Sequence, residues 1–318
     1  MSVNSTPHAS VHDTANQAGS FSFSQVKPAL SFEQQVELMR SRGLAVDDVD
    51  EAIRWLSETN YYRIRGYWLT FERDGRFIQG TTLDDIRDTY RLDAGLRLWL
   101  WSAIGPIEIK ARTSLAYHMG TACGPLSYTD HEYFSDRRAH DKSMQNFRTE
   151  RERAMRSKVP CVIHNMRKYG CLPIWAAVEI MSMGTMSRLY GNLADSAEYP
   201  DGPTVKEAVA KDFAIKPMYL KSWLQHLTYI RNLCGHHSRI YNRTMTSRAR
   251  MLRADTRHAG LKAFPTIIVL KRIYERVWPE KWPQMTATLD TLIRKYPGVD
   301  LVPLGFPEDW RQIIMEQT

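Results

Sequence analysis

The sequence predicts a mainly α-helical protein, packed as a helical bundle with additional helices at both ends. Three observations support this prediction. Apolar residues recur at helical spacing in most segments, alternating strand patterns are scarce, and helix-start signals are frequent. Ser31 followed by Gln34 is a capping-box pattern, and Pro173 and Pro217 each come just before or at the start of a helical pattern.

The first helix is predicted between Ser31 and Gly43, and "DVDEAIRWLSETN" predicts the second. "YYRIRGYWLTFERDGRFIQG" is predicted to contain a short hairpin or a loop around Asp74-Gly75. A helix is then predicted from near Thr82, followed by a longer one to about Gly120. Pro106 is expected to kink or split this stretch, because proline lacks the amide hydrogen that a helix interior needs.

Helices are also predicted in the second half of the chain. "SDRRAHDKSMQNFRTERERAMRSK", "LPIWAAVEIMSMGTMSRLYGNL", "KPMYLKSWLQHLTYIRNLCGHHSRIYN", "FPTIIVLKRIYERVW", "PQMTATLDTLIRKYPG" and "PEDWRQIIMEQ" are the segments concerned. The chain is thereby divided into a disordered tail (residues 1–26), a helical N-terminal part (27–90), the main bundle (91–245), and a basic segment with C-terminal helices (246–318).

Composition narrows the class of protein. The chain has 318 residues, of which 43% are hydrophobic and 25% charged, which is typical of a globular protein with a real core. No apolar run reaches membrane-spanning length, so no membrane partner is expected. The N-terminus lacks the basic start and apolar segment of a secretory signal. The four cysteines form no Cys-x-x-Cys pair, and we therefore expect a reducing, cytoplasmic location.

Positive charge is concentrated in one segment. Residues 231–277 carry eleven Lys or Arg residues against Asp255 and Glu275, an excess larger than the net charge of +8 for the whole chain. Such a block favours a polyanionic partner such as RNA. The alternative is a solvated face or a flexible basic loop.

Within this segment, "IRNLCGHHSRIYNR" (residues 230–243) has the side chains that phosphodiester chemistry requires. If the stretch is helical, four polar residues spaced 4, 3 and 4 apart form one stripe beside Arg231. These residues are Asn232, His236, Arg239 and Arg243. Histidine can transfer protons near neutral pH, and arginine can bind phosphate oxygens.

These groups suit RNA cleavage without a metal ion. The ribose 2′-OH attacks the adjacent phosphorus, a base takes its proton, and the leaving 5′-oxygen receives a proton. Two histidines and two arginines would serve this reaction. Because one chain offers one good set, a two-fold homodimer is predicted to complete the site.

The motif also carries a family resemblance. "RNLCGH" resembles the Arg-x4–6-His motif of the HEPN ribonuclease superfamily, and "YIRNLCGHHSRIYNR" resembles the abortive-infection D/F-like proteins of that superfamily, a phage-defence group. "NYYRIRGYWLTFE", "IEIKARTSLAYH" and "LPIWAAVEIMSMGTMSRLY" resemble the same group, in the same order. The resemblance covers roughly residues 27–245.

The resemblance implies a HEPN-like bundle, metal-independent endoribonuclease activity without a cofactor, and a site shared by two protomers. It assigns Arg231 to phosphate stabilisation, His236 to acid–base chemistry, and Asn232 as their companion. It also implies a polar residue from a neighbouring helix, for which Glu179 is the candidate. The alternative for Glu179 is a structural ion pair.

Several assignments remain open at this stage. His237 also fits the motif spacing, and "RTSLAYH" offers Arg112 and His118 as a second half-site, unless Arg112 pairs with Glu108 instead. Further RNA contacts are predicted for a set of polar and basic residues; the alternative is that they cross-link the bundle or lie on a solvated face. This set is His237, Arg239, Asn242, Arg243, Arg248, Arg250 and Arg253.

A cluster of aromatic residues lies near the N-terminus, and its members are Tyr61, Tyr62, Tyr67 and Trp68. These side chains either stack on RNA bases or pack in the core. Two other functions also fit the sequence. One is a non-catalytic module that holds a structured, non-coding RNA, and the other is an interaction protein whose motif is masked by an antitoxin partner.

Overall fold

A computed structural model describes residues 28–316, and these residues form a mainly α-helical fold built around one long central helix. The predicted fold class is confirmed. The predicted tail, residues 1–26, lies outside the described residues. The helices are α1 (Phe32–Ser41), α2 (Val49–Glu58), α3 (Tyr61–Trp68), α4 (Leu83–Ala122), α5 (Arg137–Arg156), α6 (Pro160–Tyr169), α7 (Ile174–Ile180), α8 (Met183–Asn192), α9 (Val205–Asp212), α10 (Pro217–Gly235), α11 (Phe264–Val277), α12 (Trp282–Arg294) and α13 (Trp310–Met315).

The central helix α4 runs without interruption for 40 residues. Thr82 caps its start, and the carboxylate of Asp85 accepts a hydrogen bond from the Thr82 amide at 2.8 Å. Pro106 lies inside the helix and does not split it, so the prediction of two helices was wrong. Packing explains the continuity, because α3, α7, α9, α10 and α12 all lie against α4 and hold it on both sides of the proline.

The N- and C-terminal helices share one core with the central bundle. The boundary predicted at residue 90 falls inside α4. From the C-terminal part, the indole of Trp99 donates to the carbonyl of Met285 at 2.9 Å, and the hydroxyl of Tyr274 donates to the carbonyl of Ala103 at 2.9 Å. The N-terminal and the C-terminal helices therefore both pack against α4.

Local sequence signals account for the N-terminal elements. The Ser31 hydroxyl accepts from the Gln34 amide at 3.3 Å, and the Gln34 side chain accepts in return from the Ser31 amide at 2.9 Å. Strands β1 (Glu72–Arg73) and β2 (Arg76–Phe77) form an antiparallel hairpin. Asp74 and Gly75, with φ values of 49° and 77°, form the turn, as a two-residue hairpin loop requires. The predicted hairpin is confirmed.

One predicted helix proved to be two. Residues 174–192 form α7 and α8, separated by an extended Met181 and Ser182. The Ser182 hydroxyl accepts from the Thr185 amide at 3.1 Å and thereby caps α8. Periodicity alone did not show this break, because both short helices bury apolar faces at the same spacing. Helices α3, α6 and α9 were not predicted.

Candidate functional site

The motif helix α10 ends at Gly235, so residues 236–243 do not continue it. The Ser238 amide donates to the Leu233 carbonyl at 2.8 Å, and the His237 amide donates to the Cys234 carbonyl at 3.0 Å. This is the Schellman arrangement, and His237 occupies its left-handed position with φ 53°. The predicted stripe on one helix was therefore wrong: Asn232 belongs to α10, but Arg239 and Arg243 lie beyond its end.

Hydrogen bonds to the buried carboxylate of Asp93 hold the segment after α10 away from the axis of that helix. Asp93 of α4 is fully buried, and its Oδ1 accepts from the amides of Ile240 and Tyr241 at 3.0 and 2.7 Å. Its Oδ2 accepts from the Tyr67 hydroxyl at 2.7 Å and from the guanidinium of Arg97. Burial, followed by the Asp93 charge, raises the pKa of Tyr67. The segment after the motif is thus fixed to α4 and α3.

Arg239 and Arg243, which were predicted to bind phosphate, donate hydrogen bonds to backbone carbonyls within the fold. The guanidinium of Arg239 donates to the Tyr241 carbonyl, and burial lowers its pKa. A β-carbon at Gly66 would come within 3.0 Å of the Arg239 side chain, so glycine leaves room for it against α3. The guanidinium of Arg243 donates to the Arg239 carbonyl at 3.3 Å. These contacts favour cross-linking of the bundle over phosphate binding. Asn242, with φ 51°, turns the same half-buried segment.

The side chain of Arg231 lies between an aromatic ring and a carboxylate. Its guanidinium carbon is 4.7 Å from the ring centre of Trp101, and its Nε is 3.6 Å from a carboxylate oxygen of Glu108. A β-carbon at Gly235 would come within 2.9 Å of the Trp101 ring, so the glycine of the motif is needed for α10 to approach α4 this closely. The Arg231 side chain remains 37% exposed, and its Nε has no hydrogen-bond partner among residues 28–316.

The carboxylate beside Arg231 is that of Glu108, and not that of Glu179 as predicted. Glu179 is exposed on α7. Glu108 also pairs with Arg112, which confirms the interpretation of "IEIKARTSLAYH" as containing an i,i+4 ion pair. The Arg112 guanidinium in turn donates to the carbonyls of Val178 and Met181 at the end of α7. Glu108 therefore joins the Arg231 site to the α7–α8 junction.

The second half-site proposed for Arg112 and His118 does not form. His118 contacts other residues: its Nε2 lies 3.1 Å from a carboxylate oxygen of Asp212, and its Nδ1 lies 2.8 Å from the Tyr199 hydroxyl. The same Asp212 oxygen accepts from the Ser114 hydroxyl at 2.6 Å. Arg112 and His118 thus serve two separate networks.

The other motif side chains lie at the surface. Asn232, His236 and His237 are all exposed. His236 caps α10, and its amide donates to the Asn232 carbonyl at 3.0 Å. Because successive helical residues rotate by about 100°, Arg231 and His236 project about 140° apart around α10. One chain therefore presents the guanidinium and the imidazole on different sides of the helix end. His237 is further constrained, because its carbonyl accepts from Arg63 of α3 at 2.6 Å.

The basic block divides into an interior and a surface part. Lys271 and Arg272 are buried and form ion pairs with Glu275 and, for Arg272, with Asp255. The three residues predicted to bind RNA beyond the motif are all exposed, and they are Arg248, Arg250 and Arg253. The Trp223 indole donates to the Arg250 carbonyl at 2.7 Å, and the Arg250 amide donates to the Ser222 hydroxyl at 2.8 Å, so this segment is attached to α10.

The aromatic cluster is mainly core. Tyr67 and Trp68 are fully buried, Tyr61 is half-buried, and Tyr62 alone of the four is exposed, at 77%. Sequence reasoning missed the residues that surround Arg231, namely Trp101, Glu108 and Gly235. A signal was present: "LRLWLWSAIGPIEI" carries a tryptophan and a glutamate seven residues apart, two turns of one helix face. The partner of this face is on α10, more than 120 residues away in sequence, so the spacing within one segment does not reveal the contact.

The family comparison covers this whole region. The model of the Abi-like protein family matches residues 54–242. The chain belongs to the Abi-like protein family. The match includes α3, α4, α7, α8 and the motif at the end of α10, so the network around Asp93 and Arg231 lies within the Abi-like region. No curated protein and no solved structure gave a significant match to the chain.

Membership of the Abi-like family suggests a role in abortive infection. The predicted family is thereby confirmed at that level, whereas the HEPN assignment remains a prediction. Within residues 28–316, none of the helices combines the length and the apolar character needed to cross a bilayer.

The left-handed conformation of His237, just after α10, leads to one prediction about stability. We expect His237→Gly to raise the free energy of unfolding by about 0.5–1 kcal/mol, because glycine adopts the left-handed conformation of this position without steric cost. Urea denaturation followed by circular dichroism measures the change. Ser238→Gly is the control, since Ser238 is not left-handed and glycine there should lower stability. Loss of stability in His237→Gly would show that the imidazole contributes to the fold.

Proposed function

We propose that this Abi-like protein is a metal-independent endoribonuclease that acts in abortive infection against phage. The proposal rests on one observation above all: Arg231 and His236 both reach the surface at the end of α10, beside a carboxylate and an aromatic ring supplied by α4. A partly exposed guanidinium suits a phosphodiester anion, and an exposed imidazole can transfer protons near neutral pH.

In the proposed reaction, the ribose 2′-oxygen attacks the adjacent phosphorus as an imidazole accepts its proton. The bond from phosphorus to the 5′-oxygen breaks, and a second imidazole donates a proton to that leaving oxygen. Arg231 stabilises the negative charge that builds on the phosphoryl oxygens. The products are a 2′,3′-cyclic phosphate and a 5′-hydroxyl, and DNA is spared because it lacks the 2′-oxygen.

The position of His236 supports a site made by two copies of the chain. Arg231 and His236 of one protomer project to different sides of α10, and one chain has only one His236 for two proton transfers. A two-fold homodimer would supply a second His236 and a second Arg231 to the same RNA. Asn232, which is exposed one turn before His236, is then placed to contact the RNA backbone.

The test is RNA cleavage by the purified protein in EDTA. We expect cleavage of RNA and not of DNA, with 2′,3′-cyclic phosphate ends, and a loss of about a hundredfold or more in His236→Ala. His131→Ala is the matched control, because His131 is an exposed histidine of the 3-10 turn His131–Tyr133. Intact RNA with the wild-type protein, in extracts of both infected and uninfected cells, would refute the activity, as would full cleavage by His236→Ala.

A second candidate is an RNA-binding module without catalysis. The exposed Arg248, Arg250 and Arg253, on a segment attached to α10 by Trp223 and Ser222, favour it. In that case His236→Ala should bind RNA as tightly as the wild type. Replacing the three arginines by glutamate should weaken binding at least tenfold and reduce its dependence on salt.

A further inference from the structure

The end of α5 and one face of α6 border an open cleft of about 800 Å³. We call this surface the α5–α6 cleft. Three cations and one imidazole line it, and they belong to Lys158, His164, Arg167 and Lys168. All four residues are exposed, and none of the described residues that line the cleft is an aspartate or a glutamate. The cleft is therefore a cationic concavity, separate in sequence from the motif and from the basic block of residues 231–277.

The sequence of α6 explains how the cleft is built. The positions of α6 that line the cleft recur every three or four residues, from Pro160 through His164 to Lys168, and so form one helix face. Val162 lies on the opposite face and is fully buried. Between residues 151 and 168 the sequence has six Lys or Arg residues and a single acidic one. Repulsion among so many like charges would be relieved by a bound polyanion.

The three cations of the cleft have no carboxylate partner among residues 28–316. Other exposed cations of the chain do, and Arg40, Arg91 and Arg294 each pair with an acidic residue on their own helix. The ammonium of Lys168 lies 4.9 Å from the ring centre of Tyr169, which leaves its charge uncompensated. The charge of the cleft is therefore available to an anion from solution.

Lys158 occupies a backbone position at which glycine would be more stable. Its amide donates to the Met155 carbonyl at 3.1 Å, and the Val159 amide donates to the Ala154 carbonyl at 3.0 Å, which is the Schellman arrangement at the end of α5. Lys158 is the left-handed residue of this arrangement, with φ 53°. Within the described chain its side chain makes no hydrogen bond or ion pair that would offset the cost. A ligand bound by the ammonium in the cleft would explain why lysine stands there.

The remaining lining of the cleft indicates which anion fits. It is apolar and consists of Met155, Pro160 and Ile163. Cations beside apolar surface suit a single RNA strand, because the phosphates bind the cations while the unpaired bases contact the apolar side chains. The bases of a duplex are stacked in its interior and do not reach such a surface. A flat anionic membrane does not fit a concave site.

We therefore propose that the α5–α6 cleft binds a single strand of RNA, as a second contact surface besides the motif. Contacts within the fold connect the two surfaces. Glu108 and Arg112 connect Arg231 to the α7–α8 junction, where the Ser182 amide donates to the Glu150 carboxylate of α5 at 3.0 Å. About 8 Å of helix separates Glu150 from the first residue of the cleft. A strand held in the cleft can thus extend towards the motif.

Fluorescence anisotropy of the full-length protein in EDTA tests the surface. The probe is a labelled single-stranded RNA of about 12 nucleotides, with 2′-O-methyl groups that prevent cleavage. We expect the triple variant Lys158→Glu, Arg167→Glu, Lys168→Glu to bind it about tenfold more weakly or worse. The slope of log affinity against log salt should fall by about two, since each phosphate contact of a single strand contributes about 0.7.

The matched control reverses three exposed cations near the start of α5, with the same change in net charge: Arg137→Glu, Arg138→Glu, Lys142→Glu. We expect this control to bind RNA within about twofold of the wild type. Equal losses in the two triple variants, or no loss in the cleft variant, overturn the proposal. So does binding of the wild type but not of the cleft variant to phosphatidylserine vesicles, with the RNA affinity unchanged.

Lys158→Gly separates RNA binding from folding. Glycine adopts the left-handed conformation without strain, so we expect a higher midpoint of urea denaturation together with weaker binding of the RNA probe. A destabilised fold cannot account for that combination of results. A raised midpoint with unchanged RNA affinity would show that the lysine does not contact RNA, and would overturn the proposal.

The link between the cleft and cleavage rests on the proposed function, whereas the binding assays do not. If the wild type cuts RNA, the cleft variant should raise KM about tenfold for a 2′-hydroxyl RNA of the same length and leave kcat within about twofold. A fall in kcat at unchanged KM would contradict a contact that only holds the strand. Cleft-dependent binding without any cleavage would refute the proposed activity and leave this surface standing.

Discussion

Asp93→Ala is expected to lower the free energy of unfolding by about 3–5 kcal/mol, the usual cost of removing one partner from a buried ion pair. The substitution leaves Arg97, which is 6% exposed, without its carboxylate. It also removes the acceptor for the Ile240 and Tyr241 amides, which lie in the interior. Urea denaturation at pH 7 measures the loss. We also expect weaker RNA cleavage, because the segment that follows His236 is no longer held.

Asp88→Ala is the matched control for this loss. Asp88 lies on the same helix and pairs with Arg91 at 3.6 Å, but both side chains are about half exposed. Removing an exposed pair is expected to change stability by less than about 1 kcal/mol. A second variant separates charge from packing: Asp93→Leu with Arg97→Met removes both buried charges and should recover part of the loss. A cost below about 1 kcal/mol for Asp93→Ala would contradict the anchoring role.

Most helices could be predicted because their signals are local. The capping box of Ser31 and Gln34 and the left-handed turn at Asp74-Gly75 depend on residues that are neighbours in sequence. The predictions failed where distant packing determined the outcome. Pro106 disfavours a continuous helix locally, yet α3, α7, α9, α10 and α12 pack along α4 and hold it together. The break at Met181 was equally invisible to a periodicity argument.

In the candidate site, too, the features set by local sequence were predicted and those set by distant packing were not. The motif residues Arg231 and His236 were found from their spacing, and both lie at the surface. The end of α10 was not predicted, since it depends on Asp93, which is 147 and 148 residues from the amides that it binds. For the same reason Glu179 was chosen over Glu108: a carboxylate in an apolar helix is visible in sequence, but its distance from Arg231 is not.

The buried part of the basic block shows a limit of charge counting. The eleven basic residues predicted a polyanionic partner, but Lys271 and Arg272 on α11 are buried. Their ion pairs use the only two acidic residues of the segment, Asp255 and Glu275. The exposed charge of the block is therefore carried by Arg276 and by residues before α11, including Arg248, Arg250 and Arg253. Because Arg250 is attached to Ser222 and Trp223, this exposed charge extends along α10 towards its first half and is not concentrated at the motif.

The second large effect concerns pH and arises from His226 on the motif helix. His226 is 2% exposed, its Nδ1 donates to the Ser247 carbonyl at 3.2 Å, and its Nε2 accepts from the Thr266 hydroxyl at 2.9 Å. Burial lowers the pKa of His226 from 6.5 to about 4. The unfolded chain therefore takes up a proton before the folded chain does. We expect the neutral imidazole to contribute fully to the free energy of unfolding above pH 6.5. That free energy should fall by about 3 kcal/mol as the pH falls from 6.5 to 4.

Chemical denaturation of the wild type and of His226→Gln at a series of pH values isolates this contribution. Glutamine can donate to Ser247 and accept from Thr266, but it does not titrate, so the variant should lose less stability than the wild type between pH 6.5 and 4. His131→Gln replaces an exposed histidine and should leave the wild-type pH profile unchanged. Parallel profiles for the wild type and His226→Gln would mean that His226 does not remain neutral in the fold. Because α10 carries both His226 and Arg231, the same acid transition is expected to abolish RNA binding at the motif.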